Sequence, residues 1–74
     1  MKIKIAYSGQ DMNVIVPEGS TVGSVRQNPN FQTVLRYGSS VVAKTPDGIQ
    51  LPDNTVLSEG ASIIFETAAQ SKAA

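Results

Sequence analysis

Neither cysteine nor histidine occurs in this 74-residue chain. Without cysteine there is no thiol nucleophile, no disulfide and no iron–sulfur ligation. Without histidine the ordinary zinc sites and the Ser–His and Cys–His nucleophile pairs are excluded as well. An excess of one charge is also missing, because six Lys and Arg balance six Asp and Glu. A protein that tracks a phosphate backbone needs a basic face, so no nucleic-acid partner is expected. No apolar run approaches the ~20 residues of a membrane span. The opening Met1-Lys2-Ile3-Lys4-Ile5 alternates, which is not the pattern of a signal-peptide core, and no lipidation motif is visible. A cytoplasmic protein without a membrane partner is the expectation.

The remaining chemistry is thin. The six carboxylates Asp11, Glu18, Asp47, Asp53, Glu59 and Glu66 fall on separate turns and strands at no ligand-like spacing. No metal is expected, and Asp47 and Asp53 read as turn formers. The glycines make no phosphate-cradling fingerprint, so no nucleotide cofactor is expected either. For this mass, surface scaling gives about 4,400 Å² folded against about 11,300 Å² unfolded, enough for one thin core. A non-enzymatic, monomeric, single-domain protein follows as the expectation.

What is present is alternation. Met1 to Tyr7 reads as a strand with Met1, Ile3, Ile5 and Tyr7 on one face and Lys2, Lys4 and Ala6 on the other. Ser8-Gly9-Gln10-Asp11 has turn composition, and Met12 to Val16 alternates again, predicting a hairpin. Pro17 ends that strand because it cannot donate to a ladder. Thr21 is placed to cap a helix, and Pro29 interrupts it, so a broken helix is expected over about 22–37. Asn28 or Asn30 caps the second piece, with Phe31, Val34 and Leu35 on one face and Gly38 as the residue after its end. Residues 40–44 and 49–51 are predicted strands around the Thr45-Pro46-Asp47-Gly48 turn. Residues 61–67 form the last strand, with Ala61, Ile63 and Phe65 facing in and Ser62, Ile64 and Glu66 facing out. The fold class is therefore α+β in the order ββαβββ, with a domain over 1–67 and a mobile tail over 68–74.

That order resembles the β-grasp fold of the ubiquitin-like superfamily. The features that carry the resemblance are the opening strand, the Glu18-Gly19-Ser20-Thr21-Val22 approach to the helix and the Leu57-Ser58-Glu59-Gly60 turn before the last strand. The last of these is similar to the Leu-x-Asp-Gly-Asp turn of the bacterial sulfur carriers of thiamin and molybdopterin synthesis. Asp47-Gly48 stands where those carriers have Asn-Gly. The resemblance implies a mixed sheet in which the last strand lies between the first and third, with one broken helix across one face. It also implies a slim Gly-Gly end for adenylation, and here the chain reads Gln70-Ser71-Lys72-Ala73-Ala74 instead.

The expected function is a protein–protein interaction module that docks through its outer sheet face. Ile64 and Val42 are the expected apolar anchors, Ile64 standing between Lys4 and Val42, and Lys4 and Lys44 are the steering charges. A sulfur carrier or conjugated modifier acting through Ala73 and Ala74 is the alternative. A structural component of a larger assembly, such as a viral particle, is a third reading. A second contact region through Arg26, Phe31, Arg36 and Tyr37 competes with a reading in which Phe31 plugs the core.

Overall fold

A computed structural model describes residues 1–38 and 40–67. The tail expected to be mobile, with Ala73 and Ala74, lies outside the described residues. The first hairpin joins β1 (Lys2–Tyr7) to β2 (Gln10–Ile15). Its turn is only Ser8 and Gly9, both left-handed, with φ of 53° and 81°. That is the mirror-image turn whose twist matches two antiparallel strands, and Gly9 takes it without steric cost. Gln10 and Asp11, expected in the turn, are therefore already strand.

The helical stretch is two helices, α1 (Val22–Arg26) and α2 (Pro29–Leu35). Each is too short to persist alone, since isolated helices below about 12 residues are marginal in water. Caps and neighbours supply what length does not. Thr21 and Ser24 form a reciprocal capping box, the Ser24 amide donating to Thr21 Oγ1 (3.2 Å) and the Thr21 amide to Ser24 Oγ (3.1 Å). The other two free amides of the first turn donate to a neighbouring loop, Val22 to the Thr55 carbonyl (3.0 Å) and Gly23 to the Asp53 carbonyl (2.9 Å). The Leu57 amide returns a bond to the Ser20 carbonyl (2.8 Å). Arg26 closes the strap, donating from Nε and Nη2 to the two Asp53 carboxylate oxygens at 3.1 and 2.7 Å. That hydrogen-bonded guanidinium holds the Asp53 carboxyl below the usual carboxylate range. Asn28 Oδ1 accepts from the Asn30 and Phe31 amides and starts α2, with Pro29 in its first turn.

Beyond α2 the structure differs from the sequence expectation. Arg36, not Gly38, takes the left-handed position, with φ 62° and ψ 38°. The reversal brings Tyr37 straight into the core. Its ring stacks on Phe65 (4.6 Å between centroids), and its hydroxyl donates to the Val25 carbonyl (3.0 Å). Val34, expected on the buried face with Phe31 and Leu35, is 61% exposed.

β3 (Val42–Lys44), β4 (Gln50–Leu51) and β5 (Ser62–Glu66) complete a five-stranded mixed sheet in the order β2-β1-β5-β3-β4. Among the described residues only β1 and β5 run parallel. Ile3, Ile5, Val14, Val16, Val41, Ala43, Ile63 and Phe65 are buried with Val22, Val25, Leu35, Tyr37 and Leu57. Both helices thus pack on one sheet face. No helix among the described residues is long and apolar enough to cross a membrane.

Two outcomes follow from this packing. A Cβ on Gly23 would lie 2.9 Å from Asp53 Cβ and 3.1 Å from the Asp53 carbonyl oxygen. Helix propensity favours Ala over Gly by about 1 kcal/mol, but crowding of a packed contact costs about 1–3 kcal/mol. We expect Gly23→Ala to lower unfolding stability by about 1–2 kcal/mol in urea titration, and a gain would show that the strap yields freely. The second outcome concerns pH. Burial pushes the Tyr37 phenol up to about 12 from 10.0, against the opposing charge of Arg26. The native state thus keeps a proton that the unfolded chain releases first. Its stabilisation is whole below about pH 10 and is lost as pH rises toward 12. Urea midpoints measured from pH 8 to 11 should fall more steeply for the natural chain than for Tyr37→Phe.

Candidate functional site on the open sheet face

Alternation along the strands decides which side chains face away from the helices. On β5 the buried Ile63 and Phe65 leave Ser62, Ile64 and Glu66 on the open face; on β3 the buried Ala43 leaves Val42 and Lys44 there. On β1 the same rule places Lys2, Lys4 and Ala6 outward, and on β2 it places Asp11, Asn13 and Ile15. All four residues singled out from sequence, Lys4, Val42, Lys44 and Ile64, therefore share one face.

Their arrangement differs from the expected one. Ile64 stands between Ala6 on β1 and Lys44 on β3, not between Lys4 and Val42. Lys4 is opposite Ser62, and Val42 is opposite Glu66. Two shallow depressions meet at Ile64. One, of about 190 Å³, is bounded by Lys4, Ala6, Asp11, Pro46, Ser62 and Ile64. The other, of about 250 Å³, is bounded by Lys44, Thr45, Pro46, Gly48, Ile64 and Glu66. Ile64 and Pro46 belong to both, so they form an apolar ridge between the two hollows. Val42 lies off this ridge. It borders a third hollow of about 320 Å³, with Arg26, Gln50, Leu51 and Asp53.

The lysines are not free charges. Lys4 Nζ lies 3.4 Å from Asp11 Oδ2, and Lys44 Nζ lies 3.1 Å from Glu66 Oε1. Each pair joins adjacent strands diagonally, two residues from direct opposition on the same face. Lys44, expected as a steering charge on the outer face, has a side chain only 14% exposed and is paired with Glu66. Its stem covers apolar surface while its ammonium stays paired. The rims of the hollows are consequently polar and electrically balanced, which weakens long-range steering.

The second contact region does not assemble. Tyr37 is in the core, Arg26 is bound to Asp53, and Phe31 is half-buried against the core. Sequence reasoning missed Pro46 and Ser62. Pro46 carried a turn signal and nothing more; only the register of β3 against β5 brings it beside the face.

No family model matches the chain, and no curated protein matches it in sequence.

The face assignment has a direct test in two neighbouring residues. Ile63 is 1% exposed, whereas Ile64 is half-buried on the open side. An unpaired carboxylate in the core costs several kcal/mol, most of the stability of a domain of this size. Ile63→Asp is expected to unfold the chain, and Ile64→Asp, beside Lys44, to leave its circular dichroism spectrum and cooperative melting intact. Unfolding by Ile64→Asp would place that side chain in the core instead.

Proposed function

We propose that this chain is a ubiquitin-like β-grasp protein of the cytoplasm, a non-enzymatic module that binds a protein partner through its open sheet face. The β-grasp reading is supported by the element order together with the placement of the last strand between the first and third. The functional reading is carried by one observation: Ile64 and Pro46 form an apolar ridge between two hollows with charged rims, on the sheet face away from both helices.

The chemistry of recognition follows from that shape. A partner straddles the ridge with apolar side chains in the two hollows and offers hydrogen bonds to the Lys4–Asp11 and Lys44–Glu66 rims. Each apolar side chain fully buried contributes about 1.5–3 kcal/mol. Two or three of them, less the cost of association, give a weak and reversible complex. Because each rim is already an ion pair, the partner supplies a balanced polar surround and not a block of one charge.

The experiment is recovery of the tagged protein from its own cells under native and under denaturing conditions, with intact mass. A partner lost on denaturation, and lost also with folded Ile64→Asp, is the expected result. Recovery equal from the natural chain and Ile64→Asp would remove the sheet face from the function. A partner or mass increment that survives denaturation, and disappears when Ala73 and Ala74 are deleted, would favour the carrier or modifier reading in its place.

A further inference from the structure

β2 is a sheet edge six residues long, whereas the opposite edge, β4, has two. The direction of its backbone groups can be worked out from the hairpin. Met1 and Val16 exchange both hydrogen bonds, at 2.9 and 2.7 Å. Antiparallel pairs alternate between bonded and non-bonded. Val14, Met12 and Gln10 are therefore bonded to β1, and the amides and carbonyls of Asp11, Asn13 and Ile15 point away from the sheet. None of these three amides donates to a group among the described residues. Most of the usual guards of an edge are missing too: β2 contains no proline and no lysine, its pairing with β1 runs without a bulge, and its one charge, Asp11, is paired with Lys4. Ile15, on its open face, is 74% exposed.

We infer that the β2 edge pairs with the β2 edge of a second copy of this chain, antiparallel, about a two-fold axis at Asn13. Three features of the strand are self-complementary in that register. First, Asp11 faces Ile15 of the second copy, Asn13 faces Asn13, and Ile15 faces Asp11, so all six outward amides and carbonyl partners of the two strands are used. A register centred on Met12 uses only the Asp11–Asn13 pairs. Second, Met12 and Val14 of one copy lie opposite Val14 and Met12 of the other on the core face, so the apolar row Ile5–Met12 continues into Val14–Ile3 of the second copy. Third, the open face matches in charge. Lys2 is paired with Ile15 across β1 and β2, and its ammonium makes no ion pair among the described residues. Two strand spacings, about 9.6 Å, separate it from Asp11 of the other copy. A lysine stem laid over Ile15 spans most of that gap, covering the exposed isoleucine and bringing its ammonium to the exposed carboxylate that Lys4 of that copy holds at 3.4 Å through Oδ2. With zero formal net charge, no net-charge repulsion opposes the approach of two copies.

Sedimentation equilibrium of the full chain from about 10 µM to about 1 mM tests this, a range that covers the weak end of protein association. The average mass is expected to rise from 7.8 kDa toward that of two chains. A mass that stays at one chain overturns the proposal, and so does growth past two, because a two-fold edge pairing is closed. Residue-resolved amide exchange at the two ends of that range is the second readout. Exchange at Asp11, Asn13 and Ile15 should slow by about tenfold or more at high concentration. Association that leaves these three unchanged places the interface elsewhere and overturns the β2 pairing. Asn13→Pro removes the central outward amide, which the fold itself does not use. Ile15→Lys changes only an exposed side chain and carries the test if the proline variant does not fold. Each is expected to stay monomeric, and dimerisation undiminished in Ile15→Lys counts against the proposal.

Discussion

Parallel pairing of β1 with β5 sets Ile5 beside Ile63 and Tyr7 beside Phe65, and three of these four side chains are almost wholly removed from water. A slip of one residue would drive Ile64 into the core and Ile63 out of it, exchanging every inward side chain of β5 for an outward one. The penalty for that exchange is what keeps Ile64 on the open face. The same pairing carries β3 and β4 through β5, so the position of Pro46 beside Ile64 depends on it as well. The arrangement of the open face is thus a by-product of core packing, fixed by the same register that buries Ile63 and Phe65.

The helices depend on a different kind of interaction. Five- and seven-residue helices gain little from propensity, and α1 contains Gly23. What holds α1 is polar. Every free amide of its first turn has a partner, two of them carbonyls of the loop that leads from β4 toward β5. Glycine at position 23 belongs to this arrangement, since only the absence of Cβ allows the loop to come so close. The Arg26–Asp53 fork lies at the rim of the same strap. Its carboxylate is exposed, so its worth is mainly in fixing the loop's position and much less in net stability. Tyr37 performs the equivalent task for α2, joining the helix pair to Phe65 by stacking and to Val25 by its hydroxyl.

The strands and their faces were legible in the sequence because alternation of β-branched and polar residues has a period of two, which the backbone imposes directly. Thr21 and Asn28 were legible as caps for a similarly local reason: their side chains reach amides two or three residues on. What alternation cannot specify is register. Shifting β5 by two residues keeps the same faces while changing every neighbour, so the sequence placed Ile64 beside Lys4 and Val42 where the fold places it beside Ala6 and Lys44. The Lys44–Glu66 ion pair was hidden for the same reason, whereas the Lys4–Asp11 pair was hidden because Asp11 read as part of the turn and is instead the second residue of β2. Val34 failed for a different cause. Its spacing with Phe31 and Leu35 is helical, but the break at Gln27 and Asn28 reorients α2, and only Leu35 becomes fully buried. Arg36 is left-handed in place of Gly38 because a long-range contact, Tyr37 on Phe65, requires the chain to turn one residue after the helix ends.

The open face and the β2 edge are separate surfaces, yet they share a boundary. Asp11 closes one hollow beside Ile64 through Lys4, and its backbone belongs to the free edge of the sheet. A two-fold axis perpendicular to the sheet at Asn13 would leave both copies of the open face on the same side of one continuous ten-stranded sheet. The Ile64 ridges would then stand on opposite flanks of the joined strands, each unobstructed, since β1 and β2 of both copies intervene. A single weak ridge would become a pair at fixed separation. A partner carrying two matching segments would engage the second without a second loss of translational freedom, gaining affinity with no new kind of contact. On the proposed docking and self-pairing, the two would reinforce one another: a bivalent partner that held two copies together would stabilise the edge pairing by the same free energy with which the pairing stabilised its binding.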